Sequence, residues 1–121
     1  MPQRRESLPR VERLHDSREF RRLREEGRRV RGQLVIVNAS ENAKGVRQFG
    51  IITARSFGPA VARNHARRWL REIYRRHKQQ LKPNFSIVVI ARQALQQATY
   101  RQLQTELLEL FSAVGALIQR D

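Results

Sequence analysis

The chain of 121 residues carries 25 Lys and Arg against 11 Asp and Glu, a formal net charge of +14, with 40% hydrophobic residues and no cysteine. That length suits one domain burying roughly two thirds of its unfolded surface, and the apolar fraction is enough for a small core and argues against disorder throughout. The lack of cysteine excludes disulfides, a thiolate nucleophile and Cys-based zinc sites, while the absence of a signal-peptide run in Met1–Ser7 and of any ~18-residue apolar span points to a soluble, cytoplasmic protein.

Residues 1–13 are basic, hold Pro2 and Pro9 and show no period, so an extended arm is expected there, ahead of one domain over 14–121. A short helix is expected from Asp16 or Ser17, with Asp16 and Glu19 spaced as a capping box, Phe20 and Leu23 as its apolar face and Gly27 as its stop. Residues 33–39 and 46–54 have strand character, and the turn over Glu41–Gly45 between them predicts a hairpin. Arg55-Ser56-Phe57-Gly58 leads into a long helix whose first turn tolerates Pro59. Lys82-Pro83-Asn84 ends that pattern. Phe85–Ala91 is a nearly unbroken apolar run, the mark of a strand buried on both faces. Thr99 and Gln102 can cap a last helix on which Tyr100, Leu103, Leu107, Leu110, Phe111, Val114 and Ile118 recur at helical spacing. The order α-β-β-α-β-α predicts a two-layer α/β sandwich with the long helix joining two strands of one sheet.

The long helix carries the strongest functional signal. At about 100° per residue, Ala62, Ala66, Trp69, Leu70, Ile73 and His77 share one third of its circumference. Arg63, Arg67, Arg71 and Arg75 stack at i, i+4 spacing on another face, beside Asn64, Arg68 and Lys78. Like charges so spaced repel by a few tenths of a kcal/mol per pair, and Glu72 is the one acid on the helix. A helix made only for solvation interleaves signs, so this face is expected to meet a polyanion. Only positions 44, 78 and 82 are lysine. Arginine's planar fork suits phosphates and stacks on bases, which favours nucleic acid over a membrane surface.

No catalytic constellation emerges from the sequence. A metal-dependent nuclease needs carboxylates converging on one site, yet none of the acids lies in an expected strand, and Glu106 and Glu109 are expected on a solvated helix face. His65 and His77 are twelve residues apart on one helix, about 18 Å along its axis, too far to flank one phosphate. His15 stands alone near the arm. Phe20 is the aromatic expected to be exposed or half-exposed for stacking a base, the alternative being the core anchor of its short helix. Trp69, Tyr100 and Phe111 fall at core positions.

The run Arg63-Asn64-His65-Ala66-Arg67-Arg68-Trp69-Leu70-Arg71-Glu72 resembles the Arg-Asn-Arg signature helix of the bacterial ribonuclease P protein subunit. Flanking motifs extend the likeness over residues 8 to 115: Arg13-Leu14, Glu19-Phe20, Gly27, Phe49-Gly50-Ile51, Gly58 with Ala60-Val61, Ile90-Ala91-Arg92, and Thr99-Tyr100. The resemblance implies a mixed sheet with a left-handed crossover through the long helix, against the general right-handed rule. It also implies an RNA-binding domain that assists a catalytic RNA, with Mg²⁺ bound to that RNA, in removing the 5′ leader of precursor tRNA. Neither a cofactor or metal in the protein, nor a membrane, nor a small-molecule substrate is implied.

Carried over residue by residue, Arg55, Arg63, Asn64, His65, Arg67, Arg68 and Arg71 would face the RNA subunit. Arg13, Phe20, Arg24 and Val37 would line the leader cleft. The chain departs from the family pattern at His65, where a second arginine is usual, at Ser56 in place of lysine, and at Arg24 and Val37 in place of aromatics. An imidazole carries only part of a charge near neutral pH, so weaker RNA-subunit binding at that spot and more electrostatic leader contacts are expected. The rival readings are a ribosomal-type structured-RNA-binding protein with no part in tRNA processing, a self-sufficient nuclease, and a DNA-binding protein, for which there is no helix-turn-helix or zinc pattern.

Overall fold

The computed structural model describes residues 8–118. In chain order these form helix α1 (Ser17–Glu26), strands β1 (Arg28–Arg31), β2 (Val35–Glu41) and β3 (Gln48–Ile52), helix α2 (Ala60–His77), strand β4 (Phe85–Ala91) and helix α3 (Tyr100–Ala113). The fold is α+β, with one mixed four-stranded sheet ordered β1-β2-β4-β3. β2 is antiparallel to β1 and β4, placing Val37 opposite both Val30 and Val89. β3 runs parallel to β4 with Ile51 opposite Val89, so α2 makes the crossover between parallel neighbours.

Three details differ from the sequence expectation. No strand is expected at Arg28-Arg29-Val30-Arg31, because one apolar residue among arginines has no period. It forms an edge strand, where charged residues are common because they discourage pairing with another chain. The expected hairpin between residues 33–39 and 46–54 does not form, because β4 lies between β2 and β3. The continuous apolar run of β4 demands burial on both faces, which an interior position supplies; the chain's hairpin is β1–β2. The arm expected over 1–13 does not extend through residues 8–13, which are packed. Leu8 is buried in the main core, Arg10–Glu12 form a single 3₁₀ turn, and the Leu14 N–H donates to Phe49 O at 3.1 Å. Residues 1–7 lie outside the described residues.

Alternation along the strands separates two cores. Val35, Val37, Ala39, Phe49, Ile87 and Val89 meet Ala66, Leu70, Ile73 and Tyr74 of α2 and Leu103, Leu107 and Phe111 of α3. On the opposite face Leu14, Leu23 and Val88, with Phe20 and Ile90 against them, form a smaller cluster under α1. α1 starts as expected, with Asp16 Oδ1 accepting from the Arg18 N–H at 2.9 Å, but Glu19 does not close a capping box. Its carboxylate instead accepts from Arg22 Nη2 at 2.9 Å and from the fully buried Ser86 Oγ at 2.7 Å, pinning the helix to β4. These donors, Arg22 first, hold the Glu19 carboxyl below its ordinary range despite its partial burial. At the other end Asn38 Nδ2 donates to Leu23 O at 2.8 Å. Gly27 permits that approach, because a Cβ there would collide with Asn38 Oδ1.

α3 opens with the expected Thr99–Gln102 capping box. It ends at Ala113, after which Gly115 turns the chain at φ 79°, so Ile118 leaves the apolar stripe and is 45% exposed. Glu106 is not on a solvated face. Its Oε2 accepts from the backbone N–H groups of Leu34 at 2.7 Å and Val35 at 3.0 Å, and its Oε1 from Gln33 at 3.2 Å, stapling the β1–β2 turn to α3. Removing a partner from part-buried donors costs about 1–3 kcal/mol. Glu106→Ala is therefore expected to destabilise the fold by about 2 kcal/mol, seen as a lower urea midpoint. A midpoint equal to wild type would show that the turn holds its form without the staple.

Candidate nucleic-acid interface

α2 buries Ala66, Leu70, Ile73 and Tyr74, while Ala62, Trp69 and His77 of the expected stripe are half-buried. Tyr74 was not among the expected core residues, although it lies one turn beyond Leu70. Its ring stacks on Phe49 with centroids 4.3 Å apart, and its hydroxyl donates to Glu12 Oε1 at 2.6 Å. Lys78 Nζ reaches Glu12 Oε2 at 3.0 Å, so the turn preceding Arg13 is tied to the C-terminal half of α2. The other end of α2 is open: Pro59 supplies no side-chain cap, leaving the amides of the first turn and the positive end of the helix dipole able to meet an anion.

The arginine column divides into two parts. At its C-terminal end Glu72 Oε2 pairs with Arg75 Nη2 and with Arg76 Nε, each at 2.8 Å. Those bonds, Arg75's first, hold the Glu72 carboxyl below its usual range. At its N-terminal end no acid intervenes. Arg63 Nη1 donates to Gly58 O at 2.7 Å and Arg67 Nε to Thr53 Oγ1 at 3.1 Å, both neutral acceptors that aim a guanidinium without cancelling its charge. Arg71 is exposed, yet the desolvation of its inner part first, and then Arg67 and Arg13, disfavour its cation. Among the described residues no carboxylate forms an ion pair with Arg13, Arg55, Arg63, Arg67, Arg68 or Arg71.

The interaction between Arg71 and Arg13 has a structural basis. A pocket of about 260 Å³ between α2, β3 and the segment before α1 is lined by Arg13, Leu14, His15, Gly50, Ile51, Arg67 and Arg71, over Leu8 and Phe49. Arg13 Nε donates to Leu8 O at 3.1 Å, and His15 Nδ1 lies 3.1 Å from Arg13 O. The structure thus joins Arg13, expected at a leader cleft, to Arg67 and Arg71, expected at a second RNA surface. It also adds His15, which from sequence stands alone. The signal for His15 was its place beside Arg13-Leu14, but only the pairing of Arg13 with Phe49 shows that this segment reaches α2.

Phe20 is half-buried on α1 above Gly50, where a Cβ would stand 3.1 Å from both Phe20 Cζ and Leu14 Cβ. Glycine there keeps the α1 side of the sheet low between the ring and the basic pocket. Arg24 is exposed on α1. Val37 is misplaced as a cleft residue: it is 0% exposed in the main core, beneath the helices of the other face. Strand alternation is the reason, since its neighbours Ile36 and Asn38 take the α1 side. Arg55, in a 3₁₀ turn (Arg55–Phe57) before α2, and Asn64 and Arg68 are exposed. His65 is exposed too but lies about 160° around the helix from Arg67, packed against Trp69 with ring centroids 4.4 Å apart.

The better-buried acids are engaged structurally: Glu12 with Tyr74 and Lys78, Glu19 with Arg22 and Ser86, Glu72 with two arginines, Glu106 with backbone. Among the described residues no cluster of three or more His, Asp or Glu is placed to hold a metal ion, and no helix is long and apolar enough to cross a membrane. What the arrangement offers is a carboxylate-free band of guanidinium groups leading from α2 across the pocket toward Phe20.

Known proteins share this fold and much of its sequence. The family model described as Ribonuclease P matches residues 8–115. The ribonuclease P protein component of Syntrophomonas wolfei is 32% identical over 108 residues, covering 89% of this chain and 91% of that protein. That of Thermotoga maritima is 39% identical over 90 residues, covering 74% and 77%. Among solved structures, the Staphylococcus aureus RNase P protein superposes with a TM-score of 0.81 at 27% identity, covering 88% of this chain and 98% of that one. The Thermotoga maritima RNase P protein gives 0.77 at 33% identity, covering 85% and 97%. The chain belongs to the family of bacterial ribonuclease P protein components.

Proposed function

We propose that the chain binds the catalytic RNA of a ribonuclease P holoenzyme through α2 and holds the 5′ leader of precursor tRNA between α1 and the sheet. The observation that carries this reading is the band Arg13, Arg67 and Arg71, brought together from separate segments around a pocket whose lining holds no carboxylate, with none of the three in an ion pair among the described residues. Its mutual repulsion is a cost to the fold that a bound phosphate backbone removes. Family membership supplies the context, a ribonucleoprotein of tRNA processing.

In this reading the hydrolysis belongs to the RNA and to the Mg²⁺ it binds, and the protein positions. Arg63, Arg67, Arg68 and Arg71, with Arg55 at the flank, neutralise phosphates of the RNA subunit, and the neutral Asn64 amide adds a hydrogen bond. Arg13 and His15 continue the band toward the leader, and Phe20 offers a ring against which a leader base can stack. With Arg24 in place of an aromatic, the α1 wall attracts the leader backbone more than its bases. No membrane and no small-molecule substrate enters this scheme, and it operates in the cytoplasm.

Reconstitution tests it. Purified protein mixed with a bacterial ribonuclease P RNA and a precursor tRNA at low Mg²⁺ is expected to raise 5′ maturation well above RNA alone. Binding to the RNA should weaken with salt by about 0.7–0.9 log units per contact per decade. No stimulation would overturn the proposal, and cleavage by the protein alone would favour a self-sufficient nuclease.

A further inference from the structure

The flank of α2 opposite the arginine band carries a second feature. A groove of about 300 Å³ runs between the start of α2 and the turn before α3, with Phe57, Ala62, Leu95 and Trp69 as its floor and His65 and Gln96 at its rim. The Trp69 ring is set by its neighbours. Tyr100 meets it edge-on with centroids 5.6 Å apart at 90°, and His65 packs against it with centroids 4.4 Å apart and the rings tilted by 53°. Gln96 is fixed through its Nε2, which donates to Phe57 O.

From this we infer that the groove takes an unpaired nucleobase of the RNA partner, stacked on Trp69 and His65, in addition to the phosphate contacts of the arginine band. The inference rests on the RNA-binding function proposed above. An apolar floor alone would suit an aliphatic side chain equally. Here, however, the floor is edged by groups with hydrogen-bonding capacity to spare. The Trp69 indole N–H, both His65 ring nitrogens and Gln96 Oε1 have no hydrogen-bond partner among the described residues. A base offers a flat π-face together with a donor and acceptor edge, the chemistry this combination matches. Charge complementarity selects the same occupant: Arg68 is one turn from His65, and the acid nearest on the helix, Glu72, is held by Arg75 and Arg76. A nucleotide whose base enters the groove brings a phosphate to that cation.

Trp69 is the chain's one tryptophan, so its emission reports the groove directly. Protein titrated with a bacterial ribonuclease P RNA should lose a large part of that emission in step with binding measured on labelled RNA. Trp69→Leu, which keeps the floor apolar, should bind about tenfold more weakly, the loss expected for one stacked base, with the salt slope unchanged. His65→Ala, at an exposed position, should bind severalfold more weakly while retaining Trp69 as a reporter. Binding with no change in Trp69 emission, or His65→Ala at wild-type affinity with full quenching, would overturn the base site while leaving RNA binding in place. Emission that changes with protein concentration in the absence of RNA would mean that a second copy covers the groove, and would overturn it as well. No RNA binding at all would remove both this inference and the function on which it rests.

Discussion

Reversing the charge of Arg67 and Arg71 together is expected to weaken binding of a bacterial ribonuclease P RNA by at least about a hundredfold near 0.1 M salt, without unfolding the protein. Hydrogen bonds to charged groups contribute about 1.5–3 kcal/mol each, and tenfold in affinity corresponds to about 1.4 kcal/mol. Losing two such contacts reaches the hundredfold level before any repulsion from the new carboxylates is added. The slope of log affinity against log salt should flatten by about 1.5. Stability is expected to move the other way. Desolvation, Arg67 and Arg13 all disfavour the Arg71 cation, so removing positive charge from the pocket relieves the folded state. The single variant Arg71→Gln, read by thermal melting and by RNA binding, should be slightly more stable and bind less well. Weaker RNA binding accompanied by a lower melting temperature would assign Arg71 a structural role instead.

That opposition of sign is what sequence could supply only in part. The i, i+4 column from Arg63 to Arg75 was legible because helical geometry is periodic and uniform charge at that spacing is unfavourable on an isolated helix. Sequence did not show where the column is neutralised. Glu72 follows directly on Arg71, yet its carboxylate turns toward Arg75 and Arg76, leaving Arg67 and Arg71 uncompensated. The missing partner of Arg71 comes from nearly sixty residues away: Arg13 arrives because Leu8 and Leu14 are buried and the chain beside them pairs with Phe49. Two short apolar residues in a basic, proline-containing stretch have no period, and so an arm was expected where a packed turn exists. Val37 failed for a related reason. A buried strand is apolar on both faces, so its composition does not say which side a residue takes; the pairing of β2 with β4 does. The β1 edge was invisible because arginines at an edge are selected by what they prevent and leave no apolar pattern.

Tyr74 links these two levels and is expected to produce the largest stability effect in the chain. Tyr74→Ala removes a fully buried ring stacked on Phe49 and a hydrogen bond to Glu12, and truncations of this kind cost about 3–5 kcal/mol. Tyr74→Phe keeps the stack and should cost about 1 kcal/mol, because Lys78 still holds Glu12. The phenol is pushed well above its ordinary value by burial first, and then by the hydrogen bond to Glu12 and that carboxylate's charge. An acid whose folded value is raised contributes stability that is complete below its unfolded value, near pH 10 for tyrosine, and is lost as pH climbs beyond it. The alkaline fall in stability should therefore be shallower in Tyr74→Phe than in wild type, and equal slopes would place the titration elsewhere. Glu12→Ala separates placement from charge. It releases the turn before Arg13 from both Tyr74 and Lys78 while raising the net positive charge by one. General electrostatics alone then predicts tighter RNA binding, whereas an Arg13 held in place for the RNA predicts weaker binding with the arginine band itself untouched. We expect weaker binding, by severalfold; tighter binding would show that the band acts as diffuse charge and that the Tyr74–Glu12–Lys78 tie serves the fold alone.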